Sequence, residues 1–402
     1  MLFLKNKFIL FIAAGLFLIS SQSCNKEFET ISGVNVPTTP TTPPAGNSLS
    51  DIINNDTSYS FLKALIARAG AGAPVLNNVN SRFTAYLPNN SAFRASGVPS
   101  AAAVAVAFSV AQAVGITNYI ITPQLLPAEQ IPTTFPNLQS PTLLNPTAGT
   151  AGFSPFVSLS IFPSRRANGA WVNNVPLTAT NIAASNGIIH NTAIIVAPPS
   201  TTLWSRISTD TSMSFFKAAI TRGDTSLVGT GRIDSLLNLP IGPNFTVFLP
   251  TNAAMRQLLT GQITLALIAQ GLPPATAAAT AASLAATPAV FSNPALFGAL
   301  SAQTVKGIVV YHILGVRAFT VNFPTTATPI RTLLNSAVPT HPGVTLMATF
   351  AGPFVSAASV KGIANPTASN LILNASPLSG LNSDQHSING VLHKIDQVLR
   401  PQ

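Results

Sequence analysis

A chain of 402 residues with one cysteine cannot be held by internal disulfides, so its 47% hydrophobic residues must supply the fold by burial. Its length is a prior for two domains rather than one. Charged residues make up only 7% and the net charge is +10, with no dense basic run, which argues against a nucleic-acid partner and favours weak contact with anionic polysaccharide or lipid headgroups.

In chain order, Lys5 and Lys7 precede an unbroken apolar stretch, Phe8 to Ile19. That stretch is short for a membrane span and suits the core of a secretory signal. Cys24 follows directly after "SSQS". A small residue before a lone cysteine resembles the processing site of bacterial lipoproteins. It implies that residues 1–23 are a signal peptide and that Cys24 is acylated, although Ser21 stands where such signals usually carry leucine. Lys26, Glu27 and Glu29 resemble the signal that sends Bacteroidetes lipoproteins to the cell surface, and read equally as a solvated tail. The expected location is thus the outer membrane, facing outward, with a lipid anchor as the membrane contact. Residues 24–47 form the tether, and "VPTTPTTPPAGN" within it reads as a stiff, extended spacer.

A tandem repeat follows. "DTSYSFLKALIAR" (Asp56 to Arg68) matches "DTSMSFFKAAITR" (Asp210 to Arg222), with apolar positions at helical spacing behind an Asp-Thr-Ser cap. "FTAYLPNNSAF" (Phe83 to Phe93) matches "FTVFLPTNAAM" (Phe245 to Met255): a buried strand, stopped by Pro88 or Pro250, with Asn90 or Asn252 expected to cap the next helix. "TLLN" occurs at Thr142 and again at Thr332. Each copy closes on Asn-Gly, two aliphatic residues and a histidine: Asn186, Gly187 and His190, then Asn389, Gly390 and His393. Asn-Gly reads as a tight turn at which positive φ is easily adopted, and the histidine as a hydrogen-bonding fastener of the last strand. Four matched segments in one order define a duplication. Two stretches of copy two, Gln262 to Leu300 and Ala337 to Asn382, have no match and read as surface additions or extended helices.

This order of motifs resembles the fasciclin-like adhesion domain, over residues 48–199 and 200–402. Copy two is the closer match: Tyr311-His312 stands at the family's Tyr-His position, and His393 to Asp396 resembles its closing His-x-Ile-Asp. Copy one has Tyr119-Ile120 instead, and no aspartate after His190. The resemblance implies an α+β fold, two tandem wedges of β-strands packed with several helices. It also implies adhesion or matrix contact, with Tyr311 and His312 as candidate partner-binding residues. Arg222-Gly223-Asp224 is the tripeptide that integrins recognise, but it follows a predicted helix and reads as the turn that ends it.

Catalytic chemistry finds little support. The acidic residues sit at cap and turn positions, and no paired carboxylates, nucleophile elbow, phosphate loop or zincin pair appears. Asp384, His386 and His393 have metal-ligand chemistry but no standard spacing, so neither metal nor cofactor is expected. The expected function is a non-enzymatic surface protein whose partner is an unidentified protein or polysaccharide. The alternative is a module binding an envelope glycan or a small apolar ligand.

Overall fold

The computed structural model describes residues 46–146, 157–375 and 381–402. The expected signal peptide, Cys24 and nearly all of the tether lie outside them. Among the described residues, no helix is long and apolar enough to cross a membrane.

Each copy is built around one parallel strand pair. Phe83–Pro88 lies beside the closing strand Gly187–Thr192, with Phe83 opposite Gly187 and Pro88 opposite Thr192. Phe245–Pro250 lies beside Gly390–Ile395 in the same register, with Phe245 opposite Gly390 and Pro250 opposite Ile395. In both copies a two-residue strand pairs antiparallel on the far side of the central strand: Ile121–Thr122 in copy one, Ile313–Leu314 in copy two. The central strands are buried at every position, so near-continuous apolar runs replace alternation. Thr84 and Thr246 break those runs without cost, because each hydroxyl donates to a carbonyl (Gln124 or Val316) and accepts an amide (Leu126 or Ala318) at 2.7–2.9 Å.

Helices cover one face of each pair. Ser60–Ala69 buries Phe61, Leu62, Leu65 and Ala69, and Ser214–Gly223 buries Phe215, Phe216, Ala219 and Ile220, the stripe that the sequence spacing predicts. Asp56 and Asp210 accept the amides of Ser58 and Ser212 at 2.8 Å, capping the 3-10 turns ahead of these helices. The expected caps at Asn90 and Asn252 are displaced by one residue. Asn89 and Thr251 cap the helices after the strands, accepting Ala92 N and Ala254 N. Asn90 and Asn252 instead reach back and accept the amides of Phe61 and Phe215, tying the two helical layers together.

The α+β architecture is therefore present twice, with one difference. In copy one the sheet continues through Val175–Ala184, Gly169–Val172 and Pro163–Arg166 to six strands. In copy two the corresponding stretch forms a separate sheet of four strands, with the hairpin Val344–Ala351 and Phe354–Lys361 at its centre. This corrects the expectation that 337–382 is a surface addition: Val344, Leu346, Ala348, Ala358 and Val360 are core residues, alternating inward along the hairpin. The other stretch does extend helix, as Asn252–Ala269 and Pro274–Leu284, and its Ile263, Ala281 and Phe291 join the core of copy two.

The described residues belong to one compact unit, and the copies meet in it through a shared apolar cluster: Phe162 and Trp171 from the first, Phe319, Val321 and Val391 from the second. Two arginines finish the junction. Arg166 donates to the carbonyls of Val321 and Phe323 and stacks on Phe350 at 4.9 Å. Arg317 lies over Phe162 at 4.6 Å. Trp171 Nε1 donates to Pro353 O at 2.9 Å.

Candidate functional site

The closing motif of each copy lies at the parallel strand pair. Asn186 and Asn389 are fully buried. Their Oδ1 atoms accept the amides of Leu49 and Leu203 at 2.9 Å, the first residues of each copy's opening helix. Their Nδ2 groups donate to Leu76 O and Leu237 O at 2.8 Å. One amide side chain thus fastens the end of each copy to its beginning.

The glycine that follows has a different role from the one expected. Neither Gly187 nor Gly390 adopts positive φ. A Cβ on either would lie 2.4 Å from the carbonyl oxygen of Phe83 or Phe245. The absence of a side chain is therefore required by close strand approach, not by turn geometry.

His190 and His393 close the motif. Nε2 of each faces a carbonyl, Leu126 O at 3.0 Å or Ala318 O at 2.9 Å. Nδ1 of each accepts an amide, Asn181 N at 3.2 Å or Asp384 N at 3.1 Å. These partners place the proton on Nε2 of a neutral ring. Burial holds both rings below the ordinary histidine range, His393 despite the carboxylate of Asp384 nearby. Asn181 and Asp384 stand nine residues before the two histidines and adopt positive φ, 59° and 52°. The side chain of each then caps the next connection, accepting Ala128 N or Thr320 N at 2.8 and 2.7 Å. Asp396 completes copy two by accepting from Ser369 Oγ, Asn370 N and Asn370 Nδ2 at 2.8–3.0 Å.

The candidate partner-binding residues are corrected by their surroundings. Tyr311 and His312 have no exposed surface. The Tyr311 hydroxyl donates to Gly343 O at 2.6 Å and accepts Ile363 N at 3.0 Å, binding the main helix layer to the second sheet. His312 Nδ1 donates to Ile308 O at 2.7 Å while Nε2 accepts Leu399 N at 2.9 Å, and burial pushes its pKa down to about 4. Neither residue can touch a partner of the folded protein.

Arg222-Gly223-Asp224 is equally consumed by the fold. Gly223 is the last residue of the helix and is buried, with its α-carbon facing Lys306. Asp224 is 1% exposed and accepts the amides of Ile233 and Asp234 at 2.7 and 3.0 Å, capping the helix Ile233–Asn238. Arg222 Nε donates to Leu300 O at 2.9 Å. An integrin-type loop must present both charges to solvent, and here the carboxylate is internal. Asp224→Ala should therefore lower stability by about 2 kcal/mol, leaving two amide donors unpaired, while Asp224→Asn keeps an acceptor and costs less. Thermal melts of the two variants check this; equal melting temperatures for Ala, Asn and wild type would refute the capping role.

Among the described residues, no three His, Cys, Asp or Glu side chains converge on one point. Asp384 and His393 approach to 3.9 Å, but His386 turns to the junction and accepts from Arg317 Nη1 at 2.7 Å. Sequence reasoning missed Arg317. It is 5% exposed, donates further to Ser387 O and Ile388 O, and has no carboxylate partner among the described residues. Burial alone brings its pKa down to about 10, which leaves it charged. Carbonyl dipoles and the face of Phe162 stabilise that charge in place of an anion. Nothing in the local sequence around Arg317 marks it, because its contacts lie about 70 residues on, or in the other copy.

Residues 57–194 match the model of the fasciclin domain. Among solved structures, the chain is similar to a FAS1 domain pair from the insect cell adhesion molecule Fasciclin I, at 15% identity and a TM-score of 0.33, over 85% of this chain and 95% of that one. No curated protein matches the chain.

Proposed function

We propose that this protein is a non-enzymatic, lipid-anchored surface protein whose two copies mediate adhesion or contact with an extracellular or envelope matrix. The observation that carries this reading is the fasciclin domain at residues 57–194 together with its duplication: copy two repeats the strand pairing, register and fasteners of copy one. Fasciclin is an adhesion-type domain, and the polar residues shared by the copies are spent on internal hydrogen bonds rather than on a reacting centre. With 18 Lys and Arg against 10 Asp and Glu once residues 1–23 are removed, the partner of best electrostatic match is an anionic polysaccharide or an acidic protein.

Beads coated with the mature protein are expected to adhere to an anionic polysaccharide, several-fold less as ionic strength rises from about 0.01 to about 0.15 M. Adhesion equal to that of uncoated beads at every ionic strength would sink the proposal. The anchor is tested separately: a palmitate analogue should label the wild type and not Cys24→Ala, and protease added to intact cells should remove the labelled protein if it faces outward.

A further inference from the structure

The stretch unique to copy two builds one wall of a groove against the helix Ser214–Gly223. Its floor is Ala218, Pro288, Phe291 and Phe297, its volume is about 540 Å³, and its polar wall carries Lys217 and Arg222. No carboxylate lines it. Arg222 stacks its guanidinium on Phe297 at 3.7 Å and uses Nε on Leu300 O. Its two terminal nitrogens have no hydrogen-bond acceptor among the described residues. Lys217 donates to Ser208 O and retains two further donors. Phe291 also borders a small apolar cavity of about 20 Å³ beneath the helix.

Copy one supplies an internal comparison. Arg68, the counterpart of Arg222, makes the same bond, Nε to Phe108 O at 3.2 Å. The bond is therefore part of the duplicated fold. The two phenylalanines and the proline opposite Arg222 are additions of copy two, placed in the 3-10 turn Pro288–Ser292 and just after Pro294–Leu296. Phe291 of this addition joins the core, but Phe297 stays 38% exposed beside a guanidinium that has no carboxylate partner among the described residues.

We infer that this groove binds a small amphiphilic anion, an apolar or aromatic carboxylate whose ring or chain lies on Phe291 and Phe297 and whose carboxylate meets Arg222 and Lys217. The volume lies within the range of small-molecule sites, and the fork of an arginine matches a carboxylate. The site gives the small-ligand alternative a location within copy two. The adhesive reading stands or falls separately.

The test uses the mature protein with 2-naphthoate as the probe and 2-naphthylmethanol as its neutral counterpart, both titrated by calorimetry. The expected result is saturable one-site binding of the carboxylate, at least about tenfold tighter than the alcohol. Arg222→Met should weaken it at least about tenfold, and Thr221→Glu, which sets a carboxylate at an exposed rim position, should weaken it without touching the fold. Arg68→Met in copy one should leave it unchanged. No binding overturns the inference, as does equal affinity for acid and alcohol. Binding unaffected by Thr221→Glu, or lost equally in Arg68→Met, overturns it too.

Discussion

Gly390→Ala should lower the melting temperature by about 6–12 °C, the equivalent of about 3 kcal/mol for a domain of this size. A methyl group there would sit 2.4 Å from Phe245 O and 2.5 Å from Leu203 Cδ1. The leucine end can turn aside, but the carbonyl cannot, because it belongs to the central strand and is fixed by the parallel ladder. The strands must part, and the pair holds the whole copy together. Separation would also pull on Asn389, whose two buried bonds join this strand to Leu203 and Leu237. Gly187→Ala should have the same effect in copy one, where Phe83 O is again 2.4 Å away. The control lies in the same chain: Gly307 is inside the helix Ala302–Tyr311 with nothing within 4 Å, so Gly307→Ala should stabilise by about 0.5–1 kcal/mol. A melting temperature for Gly390→Ala within about 2 °C of wild type would show that the strands do not approach as described.

How far this architecture could be read from the sequence depends on the range of each interaction. Phe61, Leu62 and Leu65 announce their helix because period and cap are local, and the same holds for the strand Phe245–Pro250 stopped by its proline. Duplication then did what no single motif could, since Asn186 and Asn389 recur where only a shared structural need explains them. What stayed hidden was long-range or conformational. Asn90 and Asn252 sit beside equally good caps, and only the fold shows that they bond a helix about 30 to 40 residues earlier. The glycines were legible as glycines but not for their reason, because close strand approach leaves no local trace. Asn181 and Asp384 had a trace that went unread: Asn and Asp are the residues that best tolerate positive φ, and they stand at equal distance from the two histidines. Arg166 and Arg317 had none. The Tyr-His reading failed because a short motif says nothing about burial, whereas Arg222-Gly223-Asp224 does end its helix as its position predicts.

Stability should fall steeply between pH 6.5 and pH 4, with four histidines, His190, His312, His386 and His393, as the cause. Each uses a ring nitrogen lone pair to accept a hydrogen bond. His190, His312 and His393 accept amides of Asn181, Leu399 and Asp384, and His386 accepts from Arg317. Protonating such a nitrogen turns its donor partner into a clash of two positive ends, besides placing charge in the core. For His312 burial takes the folded pKa down to about 4, against about 6.5 unfolded. Because the folded value is the lower one, the unfolded chain binds the proton first. The contribution is therefore complete above pH 6.5 and drains away as pH falls toward 4, by about 3 kcal/mol at pH 4. His190, His386 and His393 are shifted the same way, so their losses add to it as pH falls below the ordinary histidine range. Near His386 the charges of Arg317 and Arg206 deepen the shift that burial begins. Urea midpoints measured from pH 7.5 to pH 4 should fall throughout, and His312→Gln should be less stable at neutral pH yet lose less on acidification. A flat midpoint across that range would mean that these rings can accept protons without disturbing the fold. The fastener role assigned to both copies of the closing motif would then be wrong.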